Sequence, residues 1–203
     1  MKNKIIDFSG ENIYVGLDVH KKSWSATVLT DDLEHRTFSI APDAKILVKY
    51  LEKNFPGANY FSAYEAGFCG FTHHRELIEG GVNNIVVNAS DVPSTNKDYT
   101  TKTDNVDSRK IARALRAKTL KGIHVFDRNS EEFRGLARQR QIFQRDLRRY
   151  KQRIKSFLMY YGIDIPEELV ETDWNKSFES WLGKIRLNTN YGNSALENLV
   201  VGY

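Results

Sequence analysis

The sequence predicts an α/β fold: a mixed sheet with flanking helices, followed by a long helix of a different kind. Three observations carry this reading. Apolar runs of strand length alternate with helically spaced apolar stripes through the first 118 residues. The first three of those runs are joined by short polar turns, as in an antiparallel meander. From Glu131 to Tyr161 there is no proline and little β-branching, and apolar residues fall on a seven-residue frame.

Taken in order, Ile13-Tyr14-Val15-Gly16-Leu17-Asp18-Val19 reads as a buried strand, and the polar turn His20-Lys21-Lys22-Ser23 follows it. Trp24 to Leu29 is a second strand, and the Asp31-Asp32 turn leads to a third around Arg36 to Ile40. Pro42 opens a helix whose stripe runs through Ile46, Leu47, Tyr50 and Leu51. Tyr60 to Glu65 is the fourth strand. Phe71 to Glu79 is a helix stopped by Gly80-Gly81, and Asn84 to Asn88 is the fifth strand. Ser90 to Thr103 has no apolar period and holds Pro93, so it reads as a long loop of the kind that is often functional. A helix follows from about Asp104 to Lys118. This is the element order of a ribonuclease-H-like domain, expected over residues 10–125, although the order alone also allows other α/β folds.

The long helix, expected over residues 130–162, has a seam typical of a coiled coil. Phe133, Leu147, Ile154 and Tyr161 take one core position, and Leu136, Phe143, Tyr150 and Phe157 take the other; Arg140 interrupts it. The seam predicts a homodimer or higher oligomer, against the alternative of a helix packed on its own domain. Gly162 and Pro166 end the helix, and residues 163–203 read as short helices around Trp174 to Ile185 and Ala195 to Val200.

Composition narrows the function classes. The chain has 203 residues, 40% of them apolar, with a formal charge of +4. No run approaches the length of a membrane helix, and the N-terminus lacks the apolar stretch of a secretion signal. Cys69 is the single cysteine, which excludes an internal disulfide or a cysteine zinc cage and fits a cytoplasmic, nucleoid-associated protein. The charge is clustered. Lys102, Arg109, Lys110, Arg113, Arg116, Lys118 and Lys121 surround the start and end of the helix at 104. Nine cations from Arg134 to Lys155, Arg145, Arg148 and Arg149 among them, load the long helix against Glu131, Glu132 and Asp146. Clustering of this kind suits phosphate binding, which points to DNA. His73-His74 and Cys69 read as structural, since adjacent histidines point apart on a helix.

Four carboxylates carry the candidate chemistry. Asp18 ends the first strand and Glu65 ends the fourth, while Asp104 and Asp107 lie three apart on one helical face. Each alone has a plain explanation: a strand-end acid binding turn amides, or a helix start favoured by the dipole. In the expected topology the first and fourth strands are neighbours and the helix crosses their ends, so all four converge. Two unit charges about 4 Å apart repel by around 4 kcal/mol at an effective dielectric near 20. Four such groups call for protonation or a cation. An all-oxygen site selects Mg²⁺ or Mn²⁺, and a metal pair stabilises attacking and leaving oxygens at a phosphodiester.

Tyr14-Val15-Gly16-Leu17-Asp18-Val19-His20-Lys21, the turn Tyr64-Glu65-Ala66-Gly67, and Lys102-Thr103-Asp104-Asn105-Val106-Asp107-Ser108-Arg109-Lys110 resemble the DEDD-type insertion-sequence transposases, relatives of the Piv invertase. The likeness spans about residues 12 to 160, and the last motif is the most specific. It implies a Holliday-junction-resolvase-like domain in which Asp18, Glu65, Asp104 and Asp107 are catalytic and bind divalent metal. Members of that family also carry a C-terminal domain with a serine nucleophile, and some are guided by a structured bridge RNA. Ser177, Ser180 and Ser194 lie in no such motif, so the chain reads as an N-terminal part that binds without transposing. Two other readings share the features: a structure-specific junction endonuclease, and a non-catalytic dimerising nucleic-acid binder. A sugar kinase also opens on a strand-hairpin aspartate, but follows it with a glycine-bearing turn where Val19-His20-Lys21 stands here.

Overall fold

The computed structural model describes residues 7–93, 104–170 and 174–202, which divide into two compact units, 1–125 and 126–203. In the first, strands β1 (Asn12–Val19), β2 (Trp24–Leu29), β3 (Glu34–Ile40), β4 (Asn59–Glu65) and β5 (Asn83–Val87) form one sheet in the order β3-β2-β1-β4-β5. The meander β1-β2-β3 is antiparallel, while β1-β4 and β4-β5 pair in parallel. Helices α1 (Ala44–Asn54), α2 (Thr72–Glu79) and α3 (Asp104–Arg116) flank it. The sheet is mixed and the class α/β, as expected, and every strand and helix lies within a few residues of its sequence-derived span. The expected loop from 90 shows a 3-10 turn at Ala89–Asp91; its remainder from residue 94 to 103, with Lys102, lies outside the described residues.

Alternation along each strand decides what goes where, because successive side chains point to opposite faces. Ile13, Val15 and Leu17 of β1 join Trp24, Ala26 and Val28 of β2 in a core shared with Leu47, Leu51 and Leu77 of α1 and α2. Tyr14, Gly16 and Asp18 therefore face the other side, as do Ser25, Thr27 and Leu29 of β2. That side receives α3: Ala112 packs on Tyr14 and Leu29, and Ile111 packs on Ala63 and Val87. Both faces are covered, which explains why all six residues of β2 are buried.

The seat of α3 is Gly16. A Cβ there would overlap the Ser108 carbonyl and the Ala112 amide, so the helix backbone rests directly on the strand backbone. Around the contact lies a small polar layer. Ser108 Oγ sits 3.1 Å from Ser25 Oγ and 2.9 Å from Thr27 Oγ1, and Ser25 Oγ donates to Asn105 Oδ1 at 2.9 Å. Ser108 is fully buried, and these hydroxyls satisfy one another, avoiding the cost of burying unpaired polar groups.

The two outer edges of the sheet differ. The Ile123 amide donates to the Val86 carbonyl on the far side of β5 at 2.8 Å. At the other edge, β3 carries the exposed charges Glu34, His35 and Arg36, and its register against β2 shifts between Val28 and Leu29.

The second unit is built on α4 (Arg128–Tyr160), capped by Asp127, whose carboxylate accepts from the Ser130 amide at 2.9 Å. Gly162, at φ +67°, takes the left-handed turn that stops the helix, and Ile163 N–H bonds back to Leu158 O at 2.9 Å. Short helices α5 (Glu167–Val170), α6 (Lys176–Leu182) and α7 (Asn190–Val201) follow. The single seam predicted for α4 is divided in two. Toward its C-terminal end Ile154 is fully buried and, together with Leu158 from outside the predicted seam, packs on Trp174, Phe178, Leu182 and Leu196. Its N-terminal part leaves Phe133, Leu136 and Phe143 more than 60% exposed. The spacing was legible, but the docking of half the stripe onto later helices depends on contacts distant in sequence.

Replacing Gly16 with alanine is expected to destabilise the first unit by about 1–3 kcal/mol, the usual cost of overpacking a tight contact. Urea unfolding checks it, and an unchanged midpoint would show that α3 yields.

Candidate metal centre

The site lies where the C-terminal ends of β1 and β4 meet the first turn of α3. Parallel pairing sets Leu17 against Tyr64, so Asp18 and Glu65 follow at matching positions on neighbouring strands. Both share the α3 side of the sheet, Asp18 with Gly16 and Glu65 with Ala63. Asp104 and Asp107 occupy the first turn of α3, where the helix dipole favours negative charge. The close approach at Gly16 brings that turn down to the strand ends.

Asp18, His20 and Asp104 each present one ligand atom within 4.8 Å of the others. His20 Nε2 lies 3.1 Å from Asp18 Oδ2 and 3.5 Å from Asp104 Oδ1. It sits between the two carboxylates, in the position a cation would take. Asp107 stands beside this group and pairs with Lys110, Nζ to Oδ1 at 3.2 Å. Glu65 ends β4 next to Asp18 but is not a member of the 4.8 Å group. The four predicted acids thus share one end of the sheet, with two of them in the tight cluster.

Asp18 is the electrostatic centre. Burial pushes its carboxyl above the ordinary aspartate value of 3.8, the neighbouring His20 pulls it down, and the negative charges of Asp104 and Asp107 raise it again. A half-buried acid held up by two other acids gains most from a positive partner, and its oxygen donors are of the hard type that Mg²⁺ and Mn²⁺ take. The residues present fit a divalent cation, with Asp18 and Asp104 as oxygen donors.

Sequence reasoning missed His20, reading it only as part of a polar turn. The available signal was its position two residues beyond Asp18, since i and i+2 of an extended chain share a face. The His20 amide bonds the Ser23 carbonyl at 3.2 Å, which holds the turn there. The predicted nucleic-acid contacts divide. Arg109 Nε pairs with Glu34 Oε1 at 2.7 Å and Arg113 Nη2 with Glu34 Oε2 at 3.0 Å, so both tie α3 to β3. Lys110 is occupied by Asp107 and is mostly covered. Arg145, Arg148 and Arg149 are exposed on α4, Arg149 beside Asp146 at 3.1 Å. His73 and His74 are structural, as expected: His73 packs edgewise on Trp24, and His74 Nδ1 meets the Asn84 amide at 2.8 Å.

The family of IS110-type DEDD elements, described as "Transposase", matches residues 15–163, which takes in all four acids and the whole of α4. The chain belongs to this transposase family. A transposase for insertion sequence element IS1533 of Leptospira borgpetersenii is 30% identical over 182 residues, covering 87% of this chain and 51% of that protein. A protein of Sinorhizobium fredii (strain NBRC 101917 / NGR234) assigned as transposase y4qE is 28% identical over 193 residues, covering 92% of this chain and 48% of its own length. This transposase-family chain spans about half the length of the curated relatives it matches. Among the described residues, no helix is long and apolar enough to cross a membrane.

A pH prediction follows from Asp18. Its folded-state pKa lies above its unfolded value, so between the two the native state holds more protons and stability falls as pH rises. In metal-free protein, Asp18→Asn should remove that part of the slope and be at least as stable as wild type at neutral pH. Denaturant melts across pH in chelator check it; a variant less stable at neutral pH would contradict the assigned repulsion.

Proposed function

We propose that this chain is the metal- and DNA-binding part of a transposase, with a RuvC-like ribonuclease-H fold that acts on phosphodiesters at the Asp18 cluster. The observation that carries it is the convergence of Asp18 and Asp104 on one point, in a chain whose family is that of transposases. Asp18, Asp104, Glu65 and Asp107 would hold Mg²⁺ or Mn²⁺. When bound, the metal supplies Lewis-acid stabilisation of the phosphate and of the oxygens that attack and leave. The chain's own residues prepare the site. The buried contacts of Ser108 with Ser25 and Thr27 fix the start of α3 on the sheet, which places the backbone that carries Asp104 and Asp107. Lys110 pairs with Asp107, and His20 Nε2 sits 3.1 Å from Asp18 and 3.5 Å from Asp104.

Lys102, Arg109, Lys110 and Arg113 flank the acids in sequence, with Arg109 and Arg113 shared with Glu34 and Lys110 with Asp107, while Arg145, Arg148 and Arg149 are exposed on α4. Contacts of this type go to phosphates and carry little sequence information. A structured guide RNA is a further partner under this reading. Strand transfer also needs a nucleophile placed at the phosphate. Ser177, Ser180 and Ser194 stand in no motif for that role, and under the same reading these 203 residues bind DNA and metal without transposing; the proposed setting is the cytoplasm, at the nucleoid.

The test uses the full chain with duplex DNA. Mn²⁺ should raise the melting temperature, because a ligand of the native state stabilises it, and Asp104→Asn should abolish the rise. DNA binding should weaken steeply with salt, with no covalent adduct formed. An equal Mn²⁺ response in wild type and variant would overturn the metal assignment. Metal-dependent cleavage of junctions without adducts would favour the endonuclease instead, and adducts would show a complete site.

The exposed half of the α4 seam is proposed to pair with a second copy of the chain, as a coiled coil. Phe133, Leu136 and Phe143 present more apolar area than a free helix face keeps in water. Replacing Leu136 and Phe143 with aspartate should give a monomer by light scattering, without loss of helical signal. Ile154 is unsuitable for this test, since it is buried in its own unit. A wild type already monomeric at high concentration would refute the pairing.

A further inference from the structure

The C-terminal end of α4 carries a feature that the metal centre leaves unused, and it draws in Phe157 and Tyr161 from the last turns of the predicted seam. Arg149, Arg153, Phe157 and Tyr160-Tyr161 follow one another at steps of three to four residues, so they form one stripe on the helix. Each step advances the stripe by roughly 6 Å along the axis. With Leu199 of α7 they line a shallow groove of about 570 Å³, in the size range of a small-ligand site. The Tyr160 ring is 83% exposed and Tyr161 is 47% exposed, although neighbouring Leu158 is fully buried. Their rings stand nearly perpendicular at 5.2 Å between centroids, and Tyr161 rests on Phe157 at 4.7 Å. The result is an aromatic corner at one end and two guanidiniums at the other. Asp146 holds the first guanidinium in place, and Arg153 lies over the Tyr150 ring at 5.2 Å.

We propose that this groove binds a short unpaired stretch of nucleic acid, one base stacked on Tyr160 or Tyr161 and successive backbone phosphates on Arg153 and Arg149. The order of groups along the stripe matches that ligand. An aromatic face accepts any base, and a guanidinium forks onto phosphate oxygens. A partner helix would use only the apolar part of the groove, Phe157, Tyr160, Tyr161 and Leu199, whereas a nucleic-acid strand engages the two guanidiniums as well. A duplex hides its base faces in the stack and could use only the arginines. The inference rests on the nucleic-acid reading above and adds to it a site selective for strands whose bases are splayed apart. Base and phosphate are common to DNA and RNA, so the chemistry is shared and the source is left to the experiment.

The experiment measures binding of the full chain to labelled oligothymidylate, oligouridylate of equal length, and mixed-sequence duplex DNA. Tyr160→Leu combined with Tyr161→Leu should weaken single-strand binding about tenfold, the scale of one lost stacking contact, and leave duplex binding unchanged. Tyr160→Phe with Tyr161→Phe keeps the stacking faces and should restore it. Arg149→Gln with Arg153→Gln should lower the salt slope of single-strand binding by about 1.4, two phosphates at roughly 0.7 each. Whichever single strand binds more tightly names the source, and either supports the groove. Unchanged single-strand affinity in the leucine variant, or an equal loss on duplex, would overturn the proposal. Absence of duplex binding in wild type would count against the proposed function and not against the groove.

Discussion

Helix α3 can lie on strand β1 only because residue 16 has no side chain. Two backbones in direct contact leave little room for sliding, so the helix has one depth and one position along the strand. Everything at the candidate centre inherits that position. Asp18 lies two residues along the strand from Gly16, on the same face. Asp104 and Asp107 lie at the end of the helix that Ser108 anchors. Had the contact been made by interdigitating side chains, a change of rotamer could move the acidic turn; here it cannot move without breaking the hydroxyl layer beneath it.

The charges work against this packing and give it its use. Burial and two neighbouring acids disfavour the ionised form of Asp18, and the fold tolerates the strain because the Gly16 contact and the surrounding core hold the ends together. His20 relieves part of it at 3.1 Å. Arg109 and Arg113 relieve nothing at the centre, since both are turned toward Glu34 and brace α3 against the edge strand. Cations close in sequence to an acidic motif can thus serve the scaffold.

Much of the architecture was legible because it is local. Strand alternation places Gly16 and Asp18 on one face, and the three-residue spacing places Asp104 with Asp107. The topology that brings β1 beside β4 followed from element order. What was illegible is long-range. Nothing near Arg109 in sequence announces Glu34, 75 positions earlier. The heptad frame of α4 could not distinguish a seam that meets another chain from one that folds back on Trp174 and Phe178. His20 escaped notice because a histidine in a polar turn has an ordinary explanation until its distance to two carboxylates is known.

The margins of the sheet have a consequence for the crowded state. A ladder of strands grows when a free edge offers an ordered row of donors and acceptors to the next molecule. Here the β5 margin already gives its Val86 carbonyl to Ile123, and the β3 margin is charged and broken in register. Strand addition at the β5 margin would have to begin by peeling away the segment at 123. At the β3 margin it would meet charge and a shifted register, so edge-to-edge growth of the folded first unit is disfavoured on both sides.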